Sequence, residues 1–150
     1  MPLISHPPLL AVDPGREKCG IAVVTLQREV LERAIIDTPQ LPVRLAHYVG
    51  RYAIETVVLG DRTFAREVAN LIRSAGLRLD IVFVDEHHSS ELGRQRYLIE
   101  HPGRGWRRLI PLGLRSPNRP YDDYVAIILA ERYLDGRRST RLRKVKREEG

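Results

Sequence analysis

The apolar positions of this chain fall in short blocks separated by Pro, Gly and Asp. Leu9-Leu10-Ala11-Val12 runs straight into Asp13, with Pro8 before it and Pro14-Gly15 after. A run bounded in this way predicts a buried strand with Asp13 at its end. A second run, Ile21 to Leu26, follows at once, so the pair predicts a hairpin. Val30 to Ile36 continues the strand pattern until Asp37-Thr38-Pro39 breaks it. Three strands in so short a span predict an antiparallel meander. The period then changes. Leu41, Leu45, Tyr48, Val49 and Tyr52 recur at helical spacing, with Pro42 tolerated in the first turn.

The second half alternates strand and helix patterns. Thr56 to Gly60 and Asp80 to Val84 are apolar runs of the kind covered on both faces of a sheet. Between them, Thr63 is placed to cap a helix from about Phe64 to Ser74, with Glu67 near the reciprocal capping position and Gly76 as the stop. Ser89 or Ser90 opens a further helix through about Ile99. Residues 100–120 are rich in Pro and Gly and predict a loop, with a short helical turn near Trp106 to Ile110. From Tyr121 to Leu134, Val125, Ile128, Leu129, Arg132 and Tyr133 form one stripe, and Ala126 and Ala130 permit close approach to a sheet. Gly136 is expected to end this helix. The alternation predicts an α/β layer with parallel pairing. One domain over residues 1–136 is expected, followed by a polar, disordered tail over 137–150.

Composition refines this picture in two ways. With 150 residues, 43% hydrophobic and 29% charged, the chain suits one globular domain. It has no apolar run of membrane-spanning length, no signal-peptide pattern at its start and a single cysteine, Cys19. Together these point to the cytoplasm, with no membrane partner and Cys19 as a packing residue. The net charge of +6 is unevenly placed. The tail is strongly basic, and residues 94–119 carry seven arginines against Glu100 alone, while the remaining body is net acidic. That asymmetry fits a polyanion, with phosphate contacts supplying affinity.

The acidic residues supply the candidate chemistry. Asp13 ends the first strand, Glu86 follows the strand 80–84, and Asp122 and Asp123 open the last helix. On spacing alone, Asp13 reads equally as a cap of its own turn, and the Asp pair as first-turn residues opposing the helix dipole. Jointly they favour a site, because parallel strands bring their carboxyl ends to one edge of the sheet. Carboxylates gathered there repel one another, and a hard divalent cation relieves that cost. Mg²⁺ or Mn²⁺ takes oxygen ligands, and two such ions roughly 4 Å apart activate water and stabilise the leaving oxygen of a phosphodiester.

The motifs D-P-G-x-x-x-x-G-x-A at Asp13–Ala22, V-V-L-G-D at Val57–Asp61, V-D-E at Val84–Glu86 with Ser89-Ser90, and D-D-x-x-A-x-x-L-A-E-x-Y-L-D at Asp122–Asp135 closely resemble the YqgF/RuvX group of ribonuclease H-like nucleases. The resemblance covers about Leu9 to Asp135. It implies a five-stranded mixed sheet of order 3-2-1-4-5 flanked by helices. It also implies an acidic triad of Asp13, Glu86 and one of Asp122 and Asp123, with Asp122 the first choice. The group is associated with maturation of the small-subunit (pre-16S) ribosomal RNA precursor and is described as Holliday-junction-resolvase-like. Where that group commonly has a Gly-Leu-Pro loop, this chain has Gly60-Asp61-Arg62-Thr63, and its 100–120 loop is also distinctive. These departures bear on substrate contacts. Asp61 reads as the cap of the next helix or as a further ligand.

Arg94, Arg96, Arg104, Arg107 and Arg108 are candidate phosphate contacts, and Trp106 a platform for an unpaired base. His87 and His88 read either as a proton relay or as surface loop. The expected function is a metal-dependent nuclease, a hydrolase acting on structured RNA. Alternatives are a branched-DNA resolvase, which requires a homodimer for two coordinated cuts, and a non-catalytic nucleic-acid-binding module. An actin-like phosphotransferase also uses an Asp-x-Gly hairpin, but it needs a second domain for which this chain has no room.

Overall fold

The computed structural model describes residues 6–62, 64–87, 89–101 and 121–148, the stretch 137–148 by its backbone alone. The elements are β1 (Leu9–Asp13), β2 (Lys18–Val24), β3 (Val30–Asp37), a 3-10 turn (Thr38–Gln40), α1 (Leu41–Tyr52), β4 (Thr56–Gly60), α2 (Ala65–Ser74), β5 (Asp80–Val84), α3 (Ser89–Glu100) and α4 (Asp122–Glu148). The strands form one mixed sheet of order β3-β2-β1-β4-β5. β1, β2 and β3 are the antiparallel meander, and β4 and β5 add parallel to β1.

Both faces of the sheet are covered, which is why its central strands read as nearly unbroken apolar runs. Leu10 and Val12 of β1, Ile21 and Val23 of β2, and Val57 and Leu59 of β4 pack against α1 and α2 through Leu41, Leu45, Val68 and Ile72. Leu9 and Ala11, Ala22 and Val24, and Val58 face the other way, onto Tyr124, Ile127, Leu129 and Ala130 of α4. α3 lies against α4, with Tyr97 and Leu98 joining this second core. The first half of α4 is therefore buried nearly all round. Val125 is buried as expected from its stripe, while Ile128 is only partly buried.

Three boundaries differ from the sequence reading. β2 begins at Lys18 rather than Ile21, because pairing extends through Asp13↔Gly20 and Lys18↔Asp37 and leaves a short turn. The residue at the start of α2 is Phe64, in a left-handed conformation (φ 70) with no side-chain cap; Thr63 lies outside the described residues. α4 does not stop at Gly136 but continues to Glu148. The stretch 137–148, expected as a disordered tail, is helical in backbone. It contains no proline, and one Gly inside a helix costs only about 1 kcal/mol. Among the described residues no helix is long and apolar enough to cross a membrane.

Candidate active site

Strand alternation sets the site. Leu9 and Ala11 face α4, so Asp13 follows on the same face at the carboxyl end of β1. By the same period Gly20 and Lys18 of β2, and Gly60 of β4, line up beneath the start of α4 and the β5–α3 turn. Glu86 lies just past the end of β5, on the edge where Asp13 sits.

Backbone contacts fix Glu86. Its N–H donates to Asp61 Oδ1 (3.2 Å), and Arg62 N–H donates to Glu86 Oε2 (3.2 Å). Asp61 N–H donates to Val84 O (3.1 Å), and both the Ser89 N–H and hydroxyl donate to Glu86 O. The β4–α2 and β5–α3 turns are thus laced together around one carboxylate. Asp61, expected as a helix cap or ligand, instead holds the Glu86 backbone. Gly60 makes room for this side chain: a Cβ there would overlap the Glu86 carboxylate.

The Glu86 carboxyl meets that of Asp13. They hydrogen-bond when one is protonated, and the proton belongs on Asp13, whose pKa is pushed up to about 8 by burial first and by Glu86 second. The charge of Asp122 adds to this rise. Burial also raises Glu86, against the lowering effect of Asp13 and of Arg62. With both groups ionised neither is a donor, and Glu86 Oε1 is buried without a hydrogen-bond partner.

The two aspartates of α4 divide. Asp122 is half-buried, its pKa raised by burial and by Asp123 and lowered by Lys18. Its backbone sits directly on Gly20 of β2, where a Cβ would strike the Asp122 carbonyl and the Asp123 nitrogen. Asp123 turns to the far side and pairs with Arg33 of β3 (3.1 Å). Arg33 also lies over the ring of Tyr124, 4.7 Å from its centroid. The structure thus brings Asp13 and Glu86 into contact, leaves Asp122 beside them and engages Asp123 elsewhere.

Among the described residues no three His, Cys, Asp or Glu side chains are gathered closely enough to hold a metal ion. A Mg²⁺-type ion does not require three. It is commonly held by one or two carboxylates, with waters and phosphate oxygens completing the octahedron. The orphaned Glu86 Oε1, the upshifted Asp13 and the all-oxygen donor set fit such an ion at this pair.

The basic candidates are less concentrated here. Arg96 is ion-paired to Glu131 of α4 and to Glu100 (3.7 Å), and so ties α3 to α4. Arg94 is half-buried on α3. Arg104, Trp106, Arg107, Arg108 and His88 lie outside the described residues. His87 is exposed, with Nδ1 3.0 Å from Arg62 Nη2. Cys19 is buried against Thr38 Oγ1 (3.3 Å). The partners that sequence reading missed, Arg33 and Arg62, carry no motif.

No family model matches the chain, and a search of curated proteins finds no match. Among solved structures it is similar to RuvC of Thermus thermophilus, with a TM-score of 0.52, 14% identity, and coverage of 82% of this chain and 90% of that one. The chain has a ribonuclease H-like fold. A ROK family glucokinase from Streptomyces griseus matches over 59% of this chain and 36% of that one, at 15% identity and a TM-score of 0.40, too low to indicate a common fold. The RuvC likeness, together with the strand order, bears on the ribonuclease H-like architecture alone.

Proposed function

We propose that this chain is a divalent-metal-dependent nuclease of the YqgF/RuvX group, hydrolysing phosphodiester bonds in ribosomal RNA precursor. One observation carries the reading: two carboxyls from strand ends far apart in sequence touch at the carboxyl edge of a ribonuclease H-like sheet, and with both ionised the buried Glu86 Oε1 has no hydrogen-bond partner. Nothing in the stability of the fold calls for such a pair, because each group is costly to ionise where it stands. Asp13 and Glu86 would hold Mg²⁺ or Mn²⁺, and Asp122 would contribute to a second ion. A bound ion of this kind supplies an acidified water and neutralises charge on the scissile phosphate. The chain's own part is positional. The Asp61 and Arg62 contacts aim Glu86, Lys18 moderates the charge of Asp122, and the basic surplus of the whole chain favours a nucleic-acid partner.

A second reading, cleavage of branched DNA by a homodimer, draws on the match to RuvC over most of both chains. One assay tests both readings: wild type and Asp13→Asn, with Mg²⁺ and with Mn²⁺, on precursor RNA, single strands and a four-way junction. Cleavage by the wild type and none by the variant is expected. Equal activity in the two proteins sinks the nuclease reading, and salt-sensitive binding without cleavage leaves a non-catalytic binding module. The cytoplasm remains the proposed location.

A further inference from the structure

Beside the carboxyl pair, between α2 and the edge strand β5, lies a groove of about 540 Å³ that the nuclease reading leaves unused. Arg62, Arg66 and Arg73 line it, together with Phe64 and Phe83. Among the described residues no carboxylate forms an ion pair with any of these three arginines. The acids that share the groove are Asp61, which accepts the Glu86 N–H, and Glu67 in the first turn of α2. Phe83 is 48% exposed although it sits in a strand between half-buried neighbours. Alternation puts it on the α2 face, beside Leu59, yet it stays outside the core that α1 and α2 form there. The Phe64 ring, by contrast, is taken by Arg16, whose guanidinium carbon is 5.8 Å from its centroid.

An aromatic face left bare beside Arg66 and Arg73, neither of them ion-paired among the described residues, is an arrangement that can bind unpaired bases along a phosphate backbone. Duplex cannot use it, because its bases are already stacked. The groove borders the Glu86 turn: Arg62 lines it, and the Arg62 backbone N–H holds Glu86 Oε2.

We propose that this groove binds the single-stranded flank of a nucleic-acid substrate, with one base stacked on Phe83 and phosphates on Arg66 and Arg73. The proposal deepens the nuclease reading by naming the strand form that approaches the carboxyl pair, and it rests on that reading for direction alone. The test is therefore run in EDTA, where binding is read without cleavage. Fluorescence anisotropy is measured with oligo-U, oligo-dT and a blunt duplex of equal length, using wild type, Phe83→Ala, Phe83→Trp and Arg66→Ala/Arg73→Ala. Phe83→Ala is expected to weaken both single strands about tenfold and leave the duplex unchanged, and Phe83→Trp to retain binding. The double arginine variant is expected to lower the salt dependence by about 0.7 in slope for each phosphate it no longer neutralises. Circular dichroism checks that each variant is folded. Duplex bound as well as single strands, or Phe83→Ala indistinguishable from wild type, overturns the proposal. Because strand binding is read in EDTA and cleavage only with Mg²⁺ or Mn²⁺, the two claims fail separately.

Discussion

Arg33 and Asp123, ninety residues apart, form an ion pair at 3.1 Å that pins the first turn of α4 to β3. Asp123 is almost fully buried and Arg33 is partly exposed, so the pair joins the inside of the fold to its rim. Its consequence is rotational. With Asp123 turned to β3, the preceding residue, Asp122, is left beside Asp13.

The two neighbouring aspartates should therefore respond oppositely to substitution. Arg33→Ala deprives a buried carboxylate of its guanidinium and is expected to cost about 3 kcal/mol. Urea denaturation measures this. Asp122→Asn is expected to leave stability intact or raise it, while reducing the rise in Tm that Mg²⁺ produces in the wild type. If Asp123→Asn, and not Asp122→Asn, abolishes the Mg²⁺ effect, the assignment is reversed.

The Asp13 carboxyl gives the protein a pH signature. Its pKa is about 8 when folded against an ordinary 3.8, so between those values the folded chain holds a proton that the unfolded chain has lost. Stability in EDTA must then fall as pH rises through that window and level off above it. Asp13→Asn should flatten this slope, leaving the smaller share of Glu86 and Asp122, and be the more stable protein at alkaline pH. Saturating Mg²⁺ should restore Tm at high pH more than at low pH, because the ion competes with the proton. Thermal melts across pH, with and without the ion, check all three.

Gly20→Ala tests how tightly α4 sits on the sheet. The new methyl meets the backbone of Asp122 and Asp123, which cannot swing aside as a side chain can. A loss of about 1–3 kcal/mol is expected, with the Mg²⁺ response weakened as well. Wild-type stability in this variant would mean that the helix start is free to shift.

Arg96→Ala separates a structural arginine from a substrate contact. Its ion pairs with Glu131 and Glu100 join α3 to α4, and their loss should cost about 1 kcal/mol with no change in oligonucleotide affinity. Reduced affinity at unchanged stability would return Arg96 to the phosphate contacts.

Much of this architecture is legible in the chain itself. The unbroken runs at Leu9–Val12 and Val57–Gly60 announce strands covered twice, and the 3.6-residue stripe of Leu41–Tyr52 announces α1, because burial imposes those periods directly. The same logic places Asp13 and Glu86 at one edge, since parallel strands end together. What sequence does not disclose is which way a side chain turns once it arrives there. Asp122 and Asp123 are adjacent and chemically alike, and an arginine on a distant strand separates their contacts. Asp61 reads as a helix cap by local spacing, yet its partner is the Glu86 N–H across the sheet edge. Gly136 reads as a stop, but a single Gly inside a helix costs only about 1 kcal/mol, and no proline follows it in 137–148. Phe83 alternates as a core residue should, yet on the edge strand β5 it is left exposed.

The docking of α4 has an implication for the order in which this molecule is made. One segment, emerging from synthesis after every strand, both seals the second hydrophobic layer over β1, β2 and β4 and delivers Asp122 to the acidic edge. A nascent chain that has not yet released this helix has an open flank and an incomplete acidic edge at the same time. Closure of the second layer and arrival of Asp122 beside Asp13 thus come in a single event, and on the nuclease reading a copy without this helix would not cleave.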